Sequence, residues 1–105
     1  MLTGHSDGKI RLWDLNSRKV ADESGNAQVE GITGVCTYNQ GVNILAVSKD
    51  HIMVKYDKRR LVEPVQTYSS EEFFCTNRRV RISLSNNERY AALCSAGNRI
   101  CIFDL

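Results

Sequence analysis

The fold turns on "MLTGHSDGKIRLWDL" (Met1–Leu15), because the chain writes the same stretch three times. Aligning Trp13-Asp14 with Tyr56-Asp57, 43 residues on, and with Phe103-Asp104, 47 further, fixes the other two copies. They are "ILAVSKDHIMVKYDK" (Ile44–Lys58) and "AALCSAGNRICIFDL" (Ala91–Leu105). Each copy has an apolar run, a polar turn and a second run that closes on an aromatic-Asp pair. Asp7 stands six residues before Trp13, and Asp50 six before Tyr56, whereas the third copy has Gly97 there. Ser48 and Ser95 correspond, and His5 falls on the same position, at the end of a strand before its turn.

Two short β-prone runs around a Gly-, Asp- or Asn-containing turn read as a hairpin. Ile, Val, Leu, Tyr and Phe dominate these runs, as strands require. "ILAV" and "AALC" are apolar at every position instead of alternating, so both faces of those strands are expected to be covered. An antiparallel hairpin covered on both faces is what a blade packed between neighbours needs. "GITGVCTY" (Gly31–Tyr38) feeds the second hairpin through "NQGVN", and "RVRISLS" (Arg79–Ser85) feeds the third through "NNERY". "EPVQTY" (Glu63–Tyr68) reads as an outer strand, where Pro64 costs no ladder bond. "KVADES" (Lys19–Ser24) is the weaker counterpart after the first copy. No helical periodicity competes, and the expectation is all-β.

Bulk composition sets the outer limits. The chain has 105 residues, 42% hydrophobic and 25% charged, which is globular composition for at most one small domain. A net charge of +2 is too mild to argue for nucleic acid. No apolar run approaches the roughly 20 residues that cross a bilayer, and "MLTGHSDGK" lacks the apolar core of a signal peptide. A cytoplasmic location is therefore expected. Cys36, Cys75, Cys94 and Cys101 show no C-x-x-C pairing and no histidine at zinc-ligand spacing, so they read as reduced thiols.

The residues now carry a resemblance. The chain resembles WD40 repeats, with "DGKIRLWDL" (Asp7–Leu15) as its strongest piece and roughly 40 to 45 residues per unit. The resemblance implies a β-propeller, with the strand-end aromatic, the turn aspartate and a strand Ser/Thr in one hydrogen-bonded structural unit. Asp7 and Trp13 match that pattern in the first unit; Ser48, Asp50 and Tyr56 match it in the second; the third keeps Ser95. Asp14, Asp57, Phe103 and Asp104 complete the aromatic-Asp pairs. The Gly4-His5 pair is not the Gly-His that opens a blade, which belongs some 25 residues earlier. The expected fold is about two and a half antiparallel blades: 1–24 a partial blade, 25–69 a full blade and 70–105 a partial blade. The order of these segments is also similar to the later WD40 repeats of the animal autophagy-related protein 16 family. Shared features are the Gly-His in the first turn and the cysteine in the loop before an Arg-Val strand. That resemblance runs through nearly the whole chain, least well over Ala21–Glu30. It implies a scaffold that supports attachment of ubiquitin-like autophagy proteins to membrane lipid, touching membrane only indirectly.

His5 and His51 lie near Ser6 and Asp7, or Ser48 and Asp50. Sequence neighbours on a strand point to opposite faces, so no nucleophile–base–acid triad is expected there. Neither a metal site nor a phosphate-cradling glycine loop is legible, and no cofactor is expected. "KRR" (Lys58, Arg59, Arg60) and "RRVR" (Arg78–Arg81) either contact phosphates, anionic headgroups or acidic peptides, or are solvated loop residues. Phe73 and Phe74 are either a staple under the propeller or an exposed anchor for a partner. The expected function is non-enzymatic protein recognition through loops, in an autophagy scaffold or in an adaptor of an unrelated ubiquitin-ligase or signalling complex. Expected partners are peptide motifs and the remaining blades of a parent chain, the piece itself being truncated. Alone, its open edges should make it marginal and prone to pair with other chains.

Overall fold

The structure, a computed structural model, describes residues 1–25, 28, 30–70, 73, 74, 80–95 and 99–105. Among these residues it is all strand and turn, with no helix. The strands are β1 (Leu2–Gly4), β2 (Ile10–Asp14), β3 (Lys19–Glu23), β4 (Ile32–Tyr38) and β5 (Asn43–Ser48). They continue as β6 (Ile52–Asp57), β7 (Arg60–Tyr68), β8 (Ile82–Leu84), β9 (Tyr90–Ser95) and β10 (Arg99–Asp104). They form three antiparallel sheets in the orders β1-β2-β3, β4-β5-β6-β7 and β8-β9-β10. No sheet closes into a barrel, and the architecture is consistent with a partial propeller.

The continuous apolar runs are explained by two-sided burial of the middle sheet. Successive side chains of a strand point to opposite faces, so "ILAV" alternates between two cores. Ile44 and Ala46 lie opposite Tyr56 and Val54 across the β5–β6 ladder. With Leu61 and Ile10 they form the core against the first sheet. Leu45, Val47 and Met53 point the other way, into a core with Tyr38 and Tyr68 of the same sheet, Phe73, and Ala91 and Leu93 of the third sheet. Nearly all of these side chains lose their solvent exposure completely, each worth about 1.5–3 kcal/mol for a Val, Leu, Ile or Met.

The outer strands differ from expectation in extent. β7 starts at Arg60, three residues before the anticipated Glu63, and Pro64 stands opposite Tyr56 where the register shifts. β8 is only Ile82–Leu84, because Val80 leaves the ladder to donate its N–H to Thr33 O of β4 at 3.0 Å. Arg79 lies outside the described residues.

β4 is the tightest joint. Gly34 lies opposite Val47, just past a bulge at Thr33, and a Cβ there would overlap the carbonyl oxygen of Val80. On the other side, a Cβ on Gly4 of β1 would run into the Ile32 side chain. Both neighbouring sheets thus approach β4 at positions without a side chain. Replacing Gly34 with alanine should lower stability by about 1–3 kcal/mol through this overlap, read as an earlier midpoint in urea unfolding. An unchanged midpoint would show that the third sheet does not sit this close.

Candidate functional site

The turn from β5 to β6 gathers the polar groups that the sequence singles out. Ser48 ends β5 fully buried, and its hydroxyl donates to Asp50 Oδ1 in the turn. Tyr56, also fully buried, does not reach Ser48 directly. Its hydroxyl donates to Gln28 Oε1 at 3.1 Å, and Gln28 Nε2 donates to Ser48 Oγ at 3.0 Å and Ala46 O at 2.9 Å. Ser24 Oγ accepts from Ile10 N at 3.0 Å. Burial pushes the Tyr56 phenol up to about 12, opposed by Ser24 and reinforced by the Asp50 charge. The phenol is therefore a neutral donor at ordinary pH. The chain of bonds runs from Tyr56 on β6 through Gln28 to Ser48 and Ala46 on β5.

Gln28 is the member that sequence reasoning missed. It is 1% exposed but lies in Ala21–Glu30, the stretch with the least pattern. A single glutamine in a connecting segment carries no periodic signal, and only its buried partners reveal it.

The first copy is wired differently. Trp13 Nε1 donates to Thr3 Oγ1 at 2.7 Å, and that hydroxyl lies 2.7 Å from His5 Nε2. Asp7 does not join Trp13 as the pattern led us to expect. It pairs with Arg11 at 2.7 Å and accepts from Lys9 N at 3.1 Å. Arg11 also reaches Glu23 at 3.1 Å. The Arg11 guanidinium holds the Asp7 carboxyl below the usual carboxylate range, so the charge on β2 draws the aspartate away from the aromatic. His5 at the strand end supports, through Thr3 Oγ1, the hydroxyl that the indole uses. In the third copy Ser95 Oγ accepts from Phe74 N at 2.8 Å and donates to Phe74 O at 3.4 Å; Gly97 lies outside the described residues.

The aspartates that follow the aromatics serve the next turn. Asp14 Oδ1 accepts Asn16 N at 3.0 Å and Asp57 Oδ1 accepts Arg59 N at 2.9 Å, the Asx geometry that starts a turn. The Arg59 side chain forks onto the same Asp57 carboxylate and brings it down to about 2. Asp104, beside the half-buried Phe103, lies 3.7 Å from Arg89.

Among surface candidates, Lys58, Arg59 and Arg60 are exposed in the β6–β7 turn, where Arg60 also meets Glu63 at 3.3 Å. The two phenylalanines separate. Phe73 is 1% exposed and packs edge-on against Phe103 at 5.7 Å, so it is core and unavailable as a contact. Phe74 is 49% exposed, with its ring edge-on to His51 at 5.5 Å. Arg78 and Cys75 lie outside the described residues. Burial pushes the Cys36 thiol up to about 11, which makes it inert. A cleft of about 670 Å³ runs along β4, lined by Leu2, Gly4, Ile32, Val35 and Lys49. Among the described residues no three His, Cys, Asp or Glu side chains gather to hold a metal. No helix among them is long and apolar enough to cross a membrane.

Three antiparallel sheets, the middle one packed between two apolar cores, define the partial-propeller class. No protein-family model matches the chain. It is similar to Protein tipD of Dictyostelium discoideum, 28% identical over 105 residues covering 99% of this chain and 17% of that protein. It is also similar to autophagy-related protein 16 of Arabidopsis thaliana, 27% identical over 106 residues, 100% of this chain and 20% of that protein. Eukaryotic translation initiation factor 3 subunit I of Drosophila ananassae is 28% identical over 71 residues, 68% of this chain and 22% of that protein. The chain spans about a fifth of the length of these curated relatives. These similarities to WD-repeat proteins fit a WD40 piece.

Replacing Gln28 with leucine leaves the Tyr56 hydroxyl buried without that acceptor and should destabilise the fold by about 1–3 kcal/mol. The same replacement beside Tyr56→Phe should cost less, because no hydroxyl is then left unpaired. Equal costs in both backgrounds, by chemical denaturation, would show that the bond contributes nothing.

Proposed function

We propose that this chain is a non-enzymatic protein-recognition scaffold of WD40 type. Residues 1–24 form a partial blade, 25–69 a full blade and 70–105 a partial blade. The observation that carries this reading is the use made of the repeated polar residues. Ser48, Asp50 and Tyr56, with Gln28, close on one another inside the stack, and Ser95 closes on the Phe74 backbone. They fix packing and leave recognition to the turns. Asp7, Trp13, Asp14, Ser48, Asp50, Tyr56, Asp57, Ser95, Phe103 and Asp104 are framework residues in this reading. Lys58, Arg59, Arg60 and Phe74 are its contact residues, presented to protein or peptide partners in the cytoplasm.

The finer proposal is a scaffold of autophagosome assembly, acting beside ubiquitin-like conjugation proteins. It is supported by the similarity to autophagy-related protein 16 along the whole chain. An adaptor in an unrelated complex is the second reading, supported by 28% identity to the initiation-factor subunit over a shorter stretch of 71 residues.

Proximity labelling from the tagged full chain in its native cells separates the two. Enrichment of ubiquitin-like conjugation proteins, reduced several-fold by K58E/R59E/R60E, is the expected result. Enrichment of initiation-factor or ubiquitin-ligase subunits in their place would overturn the autophagy assignment. Labelling that ignores the triple substitution would remove the basic turn from the contact surface.

A further inference from the structure

β4 is an edge strand: it pairs with β5 on one side and stands at the end of the middle sheet. An antiparallel ladder turns the backbone groups of alternate residues toward and away from the partner strand. Lys49 N bonds Gly31 O at 2.9 Å, and the next residue, Ile32, turns away and donates its N–H to His5 O at 2.9 Å. Beyond the bulge at Thr33 the alternation resumes with Gly34 paired to Val47. Val35 and Thr37 therefore present their N–H and C=O groups away from β5. Among the described residues no other strand pairs with that edge.

Two clefts lie along this edge. The cleft of about 670 Å³ on the β1 side and a second of about 560 Å³ on the β8 side meet at Gly34 and Val35. They make one trough beside the middle sheet, and both of its walls, β1 and residues 80–82, lie within the described residues. The charged side chains lining it are Lys49 in the first cleft and Arg81 in the second. Both are cations, both are exposed, and neither is in an ion pair with a described residue. No described Asp or Glu lines either cleft. The trough thus combines an unpaired strand edge with uncompensated positive charge.

We propose that this trough binds a short extended segment of a partner protein, rich in aspartate or glutamate, by strand addition to β4. In this mode main-chain bonds, here to Val35 and Thr37, give affinity, and side-chain contacts give specificity. An acidic segment neutralises Lys49 and Arg81. A basic one meets two like charges, which is costly across an interface. The charge of the trough therefore selects the acidic partner. The proposal rests on the protein-recognition reading above and adds a site apart from the basic β6–β7 turn.

The test is fluorescence anisotropy of a labelled seven-residue peptide, the length of β4, alternating glutamate and valine and titrated with the full chain. We expect saturable binding that weakens with added salt. K49E/R81E should weaken it by about ten-fold or more with unchanged circular dichroism, because both side chains are exposed. K19E/R99E makes the same change of charge at exposed positions outside the trough and should bind as the parent does. Replacing the glutamates with glutamine, or methylating alternate main-chain nitrogens of the peptide, should each weaken binding several-fold. Equal binding of the glutamine peptide would overturn the proposal, as would a loss in K19E/R99E as large as in K49E/R81E. A methylated peptide that binds as well, or free glutamate that competes as well as the peptide, would overturn it too, since either leaves a simple anion site. Loss of binding in K58E/R59E/R60E, with K49E/R81E unaffected, would move the peptide to the basic turn and leave the recognition reading standing. No saturable binding at all would overturn the trough as a site without touching the proximity-labelling result.

Discussion

The β5–β6 hairpin has no solvent face along its centre, and the rest of the chain is arranged around that fact. Ile44, Ala46, Val54 and Tyr56 look toward the first sheet, and Leu45, Val47 and Met53 toward the third. Among the described residues neither flanking sheet has this advantage, since each buries one face only. A three-stranded sheet depends on its hydrophobic face being packed, and in the first and third sheets that face lies against the middle sheet. The first and third sheets are therefore held largely by what the middle sheet offers them. Gly4 and Gly34 let both come close enough to use it.

The polar network belongs to the same joint. A tyrosine, a glutamine and a serine with almost no exposure would each be costly alone, and the bonds among Tyr56, Gln28, Ser48 and Asp50 offset that cost. Such a network selects one packing over others more than it adds net stability. It also removes these residues from any reactive role, because their donors and acceptors are engaged with one another. The groups left open to solvent are the basic β6–β7 turn, the half-exposed Phe74 and the cleft along β4.

Much of this was legible in the chain because repetition acts as its own alignment. Three aromatic-Asp pairs located three hairpins, and unbroken apolar runs predicted burial on two faces, which the middle sheet shows. The third sheet departs from that expectation. "AALC" reads like "ILAV", yet Cys94 is exposed and Ala92 half-buried, because no neighbour among the described residues covers that side. A strand pattern states which faces can be buried, not whether a partner is present. Asp7 misled for a local reason: Arg11, two strand positions from Trp13, competes for the carboxylate. Gln28 was invisible because its role depends on contacts across about twenty residues of chain, and its segment has no periodicity. Two adjacent phenylalanines could not be told apart until Phe73 was seen against Phe103.

The central claim is that the middle sheet stabilises its neighbours, and native-state amide hydrogen exchange tests it most directly. Exchange should be slowest at Leu45, Ala46, Val47, Met53 and Val54, and faster through β1, β2, β9 and β10, which open without global unfolding. Amides of β1 or β9 that outlast those of β5 and β6 would contradict the account, because a flanking sheet would then be the stable centre.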